Sequence, residues 1–365
     1  MKKVAYVITL LAAGAAVGYF GASYIGGLKG SFDLSTFEKI TLIVLLFPAY
    51  LLVVGWHELG HVLFGSWQNF SFKRYILGPF LWAADGDGRL KFSWNKSFNL
   101  GGGAALMMPR TEDRLATRFR WFAAGGPIAS IVLAVVCLSL PQVLPLSDFS
   151  HLLLMIVGLF SALIAVITLI PSRTGGLASD GLRILTLGRN TPTAQADILL
   201  LRAMVMMETE NRDQRLPQED LERLSQEESV PEAMRAAMGY FAYNQLLRDG
   251  KIDEAGARLK EVMALVPNML AGTQDSYFLE QCLFLAIYKR DLEKASTAFG
   301  QLKNGPFTDA IDLRLAEAAL EELGGNRARA LELLDNLEAL RPRSIMKGSW
   351  PLQKVRKGMI IKGLS

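Results

Sequence analysis

The sequence predicts a mainly α, polytopic membrane protein with about four transmembrane helices and a small cytosolic β-hairpin, followed by a soluble α-helical repeat domain. Three observations lead there. Apolar residues make up 51% of the 365 residues, mean hydropathy is positive, and the apolar residues crowd into the first half of the chain. Charged residues dominate from about Thr191 onward. That second half carries three similar motifs at near-regular spacing. The net charge of +4 is what positively charged cytosolic loops would supply, so a nucleic-acid role is not needed.

Four runs approach the ~20 apolar residues that a bilayer crossing requires. The first, Val4 to Ile25, follows Lys2 and Lys3. It is longer than the apolar core of about 7–15 residues in a cleaved signal peptide, which favours a retained anchor over a leader ending near residue 26. The second run is Ile40 to Phe64. The third is Phe119 to Leu144, interrupted by Gly125-Gly126-Pro127. The fourth is Leu152 to Ile170, ended by Pro171. Lys73, Arg74, Arg110 and Arg118 lie between the second and third runs, and Pro141 to Ser150 between the third and fourth has neither Lys nor Arg. By the positive-inside rule the N-terminus and the C-terminal half are both expected in the cytosol. The expected organisation is an anchor and external loop over 1–38, a membrane-embedded core over 39–190, and a cytosolic helical domain over 191–365.

Within the core, the loop 66–118 contains Phe72 to Leu77 and Arg89 to Trp94, both rich enough in aromatic and β-branched residues for strands. Asp85-Gly86-Asp87-Gly88 between them signals a hairpin turn, and Gly101-Gly102-Gly103 reads as a flexible connection. Thr111, followed by Glu112 and Asp113, is expected to cap a helix running into the third span.

The second span carries Gly55-Trp56-His57-Glu58-Leu59-Gly60-His61. His57 and His61 are four apart and share a helical face, with Glu58 about 100° round from His57. This is the H-E-x-x-H arrangement, in which two imidazoles bind Zn²⁺ and a carboxylate takes a proton from the water that the metal activates. Ionisable side chains at membrane depth cost several kcal/mol and mark function by default; the competing reading is a helix end snorkelling to the interface. A catalytic zinc site needs a third protein ligand. His151, the one remaining histidine, falls at the outer face and is rejected. Asp180 follows the inner end of the fourth span, after the helix-breaking Pro171, Gly175 and Gly176. Asp180 could equally cap a short helix, Leu182 to Leu187.

His57-Glu-Leu-Gly-His61 in a span, Gly126-Pro127 in a later one, and Asp180-Gly181 after a span-ending proline together resemble the site-2 protease family of intramembrane zinc metalloproteases. The resemblance covers about residues 39 to 190. It implies zinc on His57, His61 and Asp180, Glu58 as general base, and cleavage of membrane-spanning or membrane-proximal peptides near the cytosolic face, in regulated intramembrane proteolysis or peptide maturation. Two positions depart from the family pattern: Ser130 replaces Asn in G-P-x-x-N, and Thr168 replaces Asn in N-x-x-P. The spacer from Pro171 to Asp180 is about four residues longer than usual. A substrate helix must be extended locally before cleavage, and the Phe72–Trp94 hairpin is expected to hold it as an added strand.

In the second half, Gly250-Lys-Ile-Asp-Glu-Ala255, Arg290-Asp-Leu-Glu-Lys-Ala295 and Gly325-Asn-Arg-Ala-Arg-Ala330 align, with the alanines 40 and 35 residues apart. Each opens a second helix. The pattern resembles tetratricopeptide-type hairpins, whose period is about 34 residues and whose stacks bind peptides or proteins; a protein regulator is the expected partner here, with a purely stabilising domain the other reading. The basic tail Arg341 to Lys362 is expected as a solvated end, with acidic lipid as an alternative contact. Cys137 and Cys282 are expected as two buried thiols. A membrane-anchored repeat scaffold with an inactive or structural metal site is the alternative to the protease.

Overall fold

The structure, a computed structural model, describes residues 32–84, 89–95, 102–174, 177–208, 215–269, 273–303, 308–335, 337–340 and 350–363. The expected first span, Val4 to Ile25, lies outside them. The chain divides into two compact units. One runs to Ala83 and includes Lys91–Met107 and Ala116–Gly188. The other comprises Ala84–Leu90, Met108–Leu115 and the chain from Arg189.

Among the described residues three helices are long and apolar enough to cross a membrane: α1 (Thr36–Trp67), α2 (Leu115–Val143) and α3 (Asp148–Leu169). A capping box starts α1, with Ser35 accepting from the Glu38 N–H and Glu38 accepting from the Ser35 N–H. The box satisfies two N–H groups that the first turn leaves without partners. One face of α1 is buried, from Ala49 through Val53, His57 and His61 to Gly65. Ile43, Val44, Leu52 and Leu63 on other faces are exposed. Ala49 and Val53 share a core with Cys137 of α2 and Val157 of α3. Gly60 and Gly125 let α1 and α2 touch backbone to backbone; a Cβ on either would overlap the other's carbonyl. The helix α2 runs unbroken through Gly125-Gly126-Pro127 and begins at Leu115 rather than Thr111. Arg114 has φ 39°, in the left-handed region that a right-handed helix cannot include, so the expected cap at Thr111 does not form.

The loop between α1 and α2 is a four-stranded sheet rather than a single hairpin. Its strands are β1 (Phe70–Leu77), β2 (Phe80–Ala84), β3 (Leu90–Trp94) and β4 (Gly103–Pro109), in the order β3-β2-β1-β4. The expected partner of the first strand was Arg89–Trp94. The actual partner is β2, with Leu77 opposite Phe80 and Arg74 opposite Ala83. Gly78 at φ 52° makes the tight reversal, a conformation glycine adopts without steric cost. The expected turn Asp85–Gly88 lies outside the described residues. The segment read as a flexible glycine connection supplies Gly103, the first residue of edge strand β4.

After α3 the chain forms a two-stranded hairpin, β5 (Arg173–Thr174) with β6 (Leu177–Ala178), and then α4 (Asp180–Thr186). The second unit is helical: α5 (Pro192–Glu208), α6 (Gln218–Gln226), α7 (Glu232–Arg248), α8 (Ile252–Leu265), α9 (Asp275–Ile287), α10 (Leu292–Phe299), α11 (Ala310–Leu323), α12 (Arg327–Asp335), α13 (Leu337–Leu340) and α14 (Trp350–Gly363). Here α7 pairs with α8, α9 with α10, and α11 with α12. The three aligned motifs form the turns of these hairpins, with Gly250, Arg290 and Gly325 all at positive φ. Ala255, Ala295 and Ala330 follow, each fully buried, where a small residue lets paired helices approach. Cys137 and Cys282 are free and buried. From Trp350 on, the tail departs from expectation; Arg341 to Ser349 lie outside the described residues. Trp350, Gln353, Arg356 and Ile360 share one face of α14 and are buried, so this stretch is packed helix rather than solvated end.

Candidate metal centre

Helical spacing puts both imidazoles of α1 on its buried face. His57 Nε2 and His61 Nε2 lie 3.3 and 3.4 Å from Asp180 Oδ2. All three ligand atoms fall within 4.8 Å of one another, and no other His, Cys, Asp or Glu trio among the described residues is so arranged. The donor set suits zinc. Two ligands held about 2.05 Å from a tetrahedral ion stand roughly 3.3 Å apart, which is the separation found between each imidazole and the Asp180 carboxylate. His151 sits at the start of α3, its ring edge-on to Phe32, and takes no part.

The other ring nitrogens fix the orientation of both histidines. His57 Nδ1 meets Ser130 Oγ at 2.9 Å, and His61 Nδ1 meets the Phe122 carbonyl at 2.8 Å. A carbonyl only accepts, so His61 carries its proton on Nδ1 and turns the Nε2 lone pair to the site. Ser130 can accept in the same way from His57. It is itself buried and positioned by Ser161 of α3, whose hydroxyl donates to the Ser130 carbonyl at 2.9 Å. Ser130 thus serves in holding His57. The signal was the G-P-x-x-S stretch, but only the fold shows its target. Replacing such an outer partner weakens metal affinity or activity about 10–100-fold. Ser130→Ala is expected to weaken zinc retention to that degree, measured by competition with a chromogenic chelator. Thr168, the other departure, donates to Ala165 of its own helix.

Asp180 is freed for the site by its neighbour. Ser179, rather than Asp180, caps α4, accepting from the Leu182 N–H at 3.2 Å. The same hydroxyl accepts from the Ser172 N–H and donates to the Ile170 carbonyl, while the Ser179 N–H donates to the Ser172 carbonyl at 2.9 Å. These bonds close the base of the β5–β6 hairpin. The long spacer after Pro171 is therefore an excursion that returns the chain to where it left. Gly181 follows because a Cβ there would overlap the Leu169 carbonyl. Arg120 of α2 donates to the Ile184 carbonyl at 2.9 Å, and Arg183 lies over the Phe119 ring at 5.2 Å, tying α4 to α2.

Glu58 lies beside the His57, His61 and Asp180 trio, and its side chain reaches the sheet at β4. Its carboxylate accepts from the Ala105 N–H, and a Cβ on Gly103 would fall 2.7 Å from Glu58 Cγ. Among the described residues β4 is an edge strand of the sheet, and it is the strand beside Glu58. Ile76 lies in β1, between β2 and β4, and Leu90 lies on the opposite edge. Tyr75 anchors the sheet to α1 by donating to the Gly55 carbonyl at 2.6 Å. Burial, helped by the Glu58 carboxylate, pushes the Tyr75 phenol up to about 12, so it stays a donor. Gly126 of α2 faces both Nε2 atoms so closely that a Cβ would overlap them. Gly126 stood out in the sequence through the Gly126-Pro127 motif, but only the fold shows that it faces the imidazoles; Gly103 read as an ordinary linker glycine.

Residues 45–179 match the model of peptidase family M50, the site-2 protease family. The matched stretch takes in His57, Glu58, His61 and Ser130 and stops one residue before Asp180. No curated protein and no solved structure matches the chain.

Proposed function

We propose that the first unit is a zinc-dependent intramembrane endopeptidase that cleaves membrane-spanning or membrane-proximal peptides near the cytosolic face. The observation that carries this reading is the convergence of His57, His61 and Asp180 from two segments more than a hundred residues apart, at separations that suit one zinc ion. The M50 match over 45–179 supports it, as do three apolar helices whose outward faces would meet lipid. Zinc held by these ligands would polarise a scissile carbonyl and lower the pKa of water to about 7.

The chain's own residues do the rest. Glu58, held beside β4 by the Ala105 N–H, takes a proton from the attacking water and later delivers it to the leaving amine. The outer edge of β4, an edge strand among the described residues, would offer backbone groups to an extended substrate. This reading puts the substrate at β4 rather than at an edge of the Phe72–Trp94 hairpin. Ser130 and the Phe122 carbonyl keep both imidazoles aimed. A structural metal site would have no use for Glu58 beside its ligands, which weighs against the scaffold alternative.

The membrane core fits a multi-pass protein of the cell membrane with both termini cytosolic, on the distribution of Lys and Arg. The helical hairpins of the second unit fit a tetratricopeptide-like domain that binds a protein regulator or part of a substrate. The proposal is tested by purifying the full chain in detergent and measuring zinc and peptide cleavage together. Wild type should hold about one zinc per chain and lose cleavage on chelation. Asp180→Ala should lose zinc and cleavage in parallel, while His151→Ala keeps both. Full zinc retention by Asp180→Ala would remove Asp180 from the ligand set.

A further inference from the structure

Helices α7, α9 and α11 are the first helices of the three hairpins, and α14 crosses α11 and α9 instead of extending the row past α12. Trp350 and Ile360 of α14 enter the core of Leu279, Leu283, Ile311 and Leu315. Between these anchors Arg356, 1% exposed, reaches Glu280, 3% exposed. Its two terminal nitrogens engage both carboxylate oxygens of Glu280. Tyr243 and Tyr240 donate to the same oxygens, at 2.7 and 3.2 Å. Burial and the Glu280 charge raise both phenols well above their usual range, so both remain donors. Gln353 donates to Asp312 at 3.0 Å.

These groups amount to a carboxylate-and-phenol pocket drawn from α7, α9 and α11, filled by a guanidinium from the far end of the chain. The filling is incomplete. Arg356 Nε and Gln353 Oε1 are buried without a hydrogen-bond partner among the described residues. An unpartnered buried polar atom is a cost the fold carries. A buried ion pair contributes little net stability over an apolar pair, but either charge left without the other is strongly destabilising, so the Glu280 site favours a matching cation.

We propose that the face formed by α7, α9 and α11 is an arginine-recognition groove, that α14 is its resident ligand, and that it accepts in trans an amphipathic helix with one arginine between two apolar anchors. The pattern to match is that of α14: Trp350 six residues before Arg356 and Ile360 four after. Arginine, not lysine, is required, because a planar guanidinium meets both oxygens of one carboxylate.

The test uses the full chain in detergent and a fluorescent peptide, WPLQKVRKGMIIKG, read by anisotropy. Two variants loosen α14 by different means. Arg356→Ala removes its central charge. Gly363→Ala places a Cβ against the Glu322 carboxylate, which is paired to Arg290. Both should bind the peptide at least tenfold more tightly than wild type. Adding Glu280→Gln to either should cancel the gain, as should replacing the peptide's arginine by lysine. Equal binding by wild type and Gly363→Ala would overturn the proposal, even if Arg356→Ala fails to fold. So would peptide binding that survives Glu280→Gln, or binding to anionic vesicles but not to the protein.

Discussion

Glu58→Gln is expected to leave zinc at about one per chain and to lower peptide cleavage by about 10²–10⁴-fold, the range that a positioned general base contributes. The substitution keeps side-chain volume and the oxygen that can accept from the Ala105 N–H, so the strand edge should stay in place. Glutamine cannot take up a proton. His57, His61 and Asp180 are untouched, and zinc content should report them independently of turnover. The checking measurement is a paired assay on one preparation: metal by mass spectrometry and cleavage of a labelled transmembrane peptide. Cleavage near the wild-type rate with zinc bound would remove Glu58 from the chemistry.

Gly126→Ala is expected to abolish zinc binding and, with it, activity. The added methyl falls on both Nε2 atoms. A side chain can often swing away from such an overlap, but here each ring is held at its other nitrogen, by Ser130 and by the Phe122 carbonyl. Moving a ring means losing that bond or shifting α1 against α2, where Gly60 and Gly125 are already in backbone contact. Zinc content should fall far below one per chain while the helical circular dichroism signal is kept. Normal zinc in Gly126→Ala would mean the rings are freer than these bonds imply.

Local periodicity made part of this molecule readable. Two histidines four apart on an apolar helix needed nothing beyond 3.6 residues per turn, and an Asp-Gly after a span-ending proline pointed to Asp180. The alignment of Gly250, Arg290 and Gly325 was visible because each marks the same turn. What stayed hidden depended on partners distant in the chain. Ser130 could be named, but its bond to His57 spans 73 residues. Strand β2, Phe-Leu-Trp-Ala-Ala, has no alternation to separate it from a loop, so β1 was paired with the wrong partner. Gly103 looked like a linker because a glycine that admits Glu58 and one that merely bends are the same letter. The tail looked solvated because its charge was counted without a carboxylate to meet it. Glu280 lies 76 residues away from Arg356.

The closed base of the β5–β6 hairpin bears on how such sites diverge. Ser172 and Ser179 are bonded to each other, so the residues between them form a loop whose ends are already together. Lengthening such a loop costs little, about 0.6 kcal/mol for each doubling. The number of residues separating the proline from the aspartate is therefore nearly neutral, free to drift while the ligand stays put.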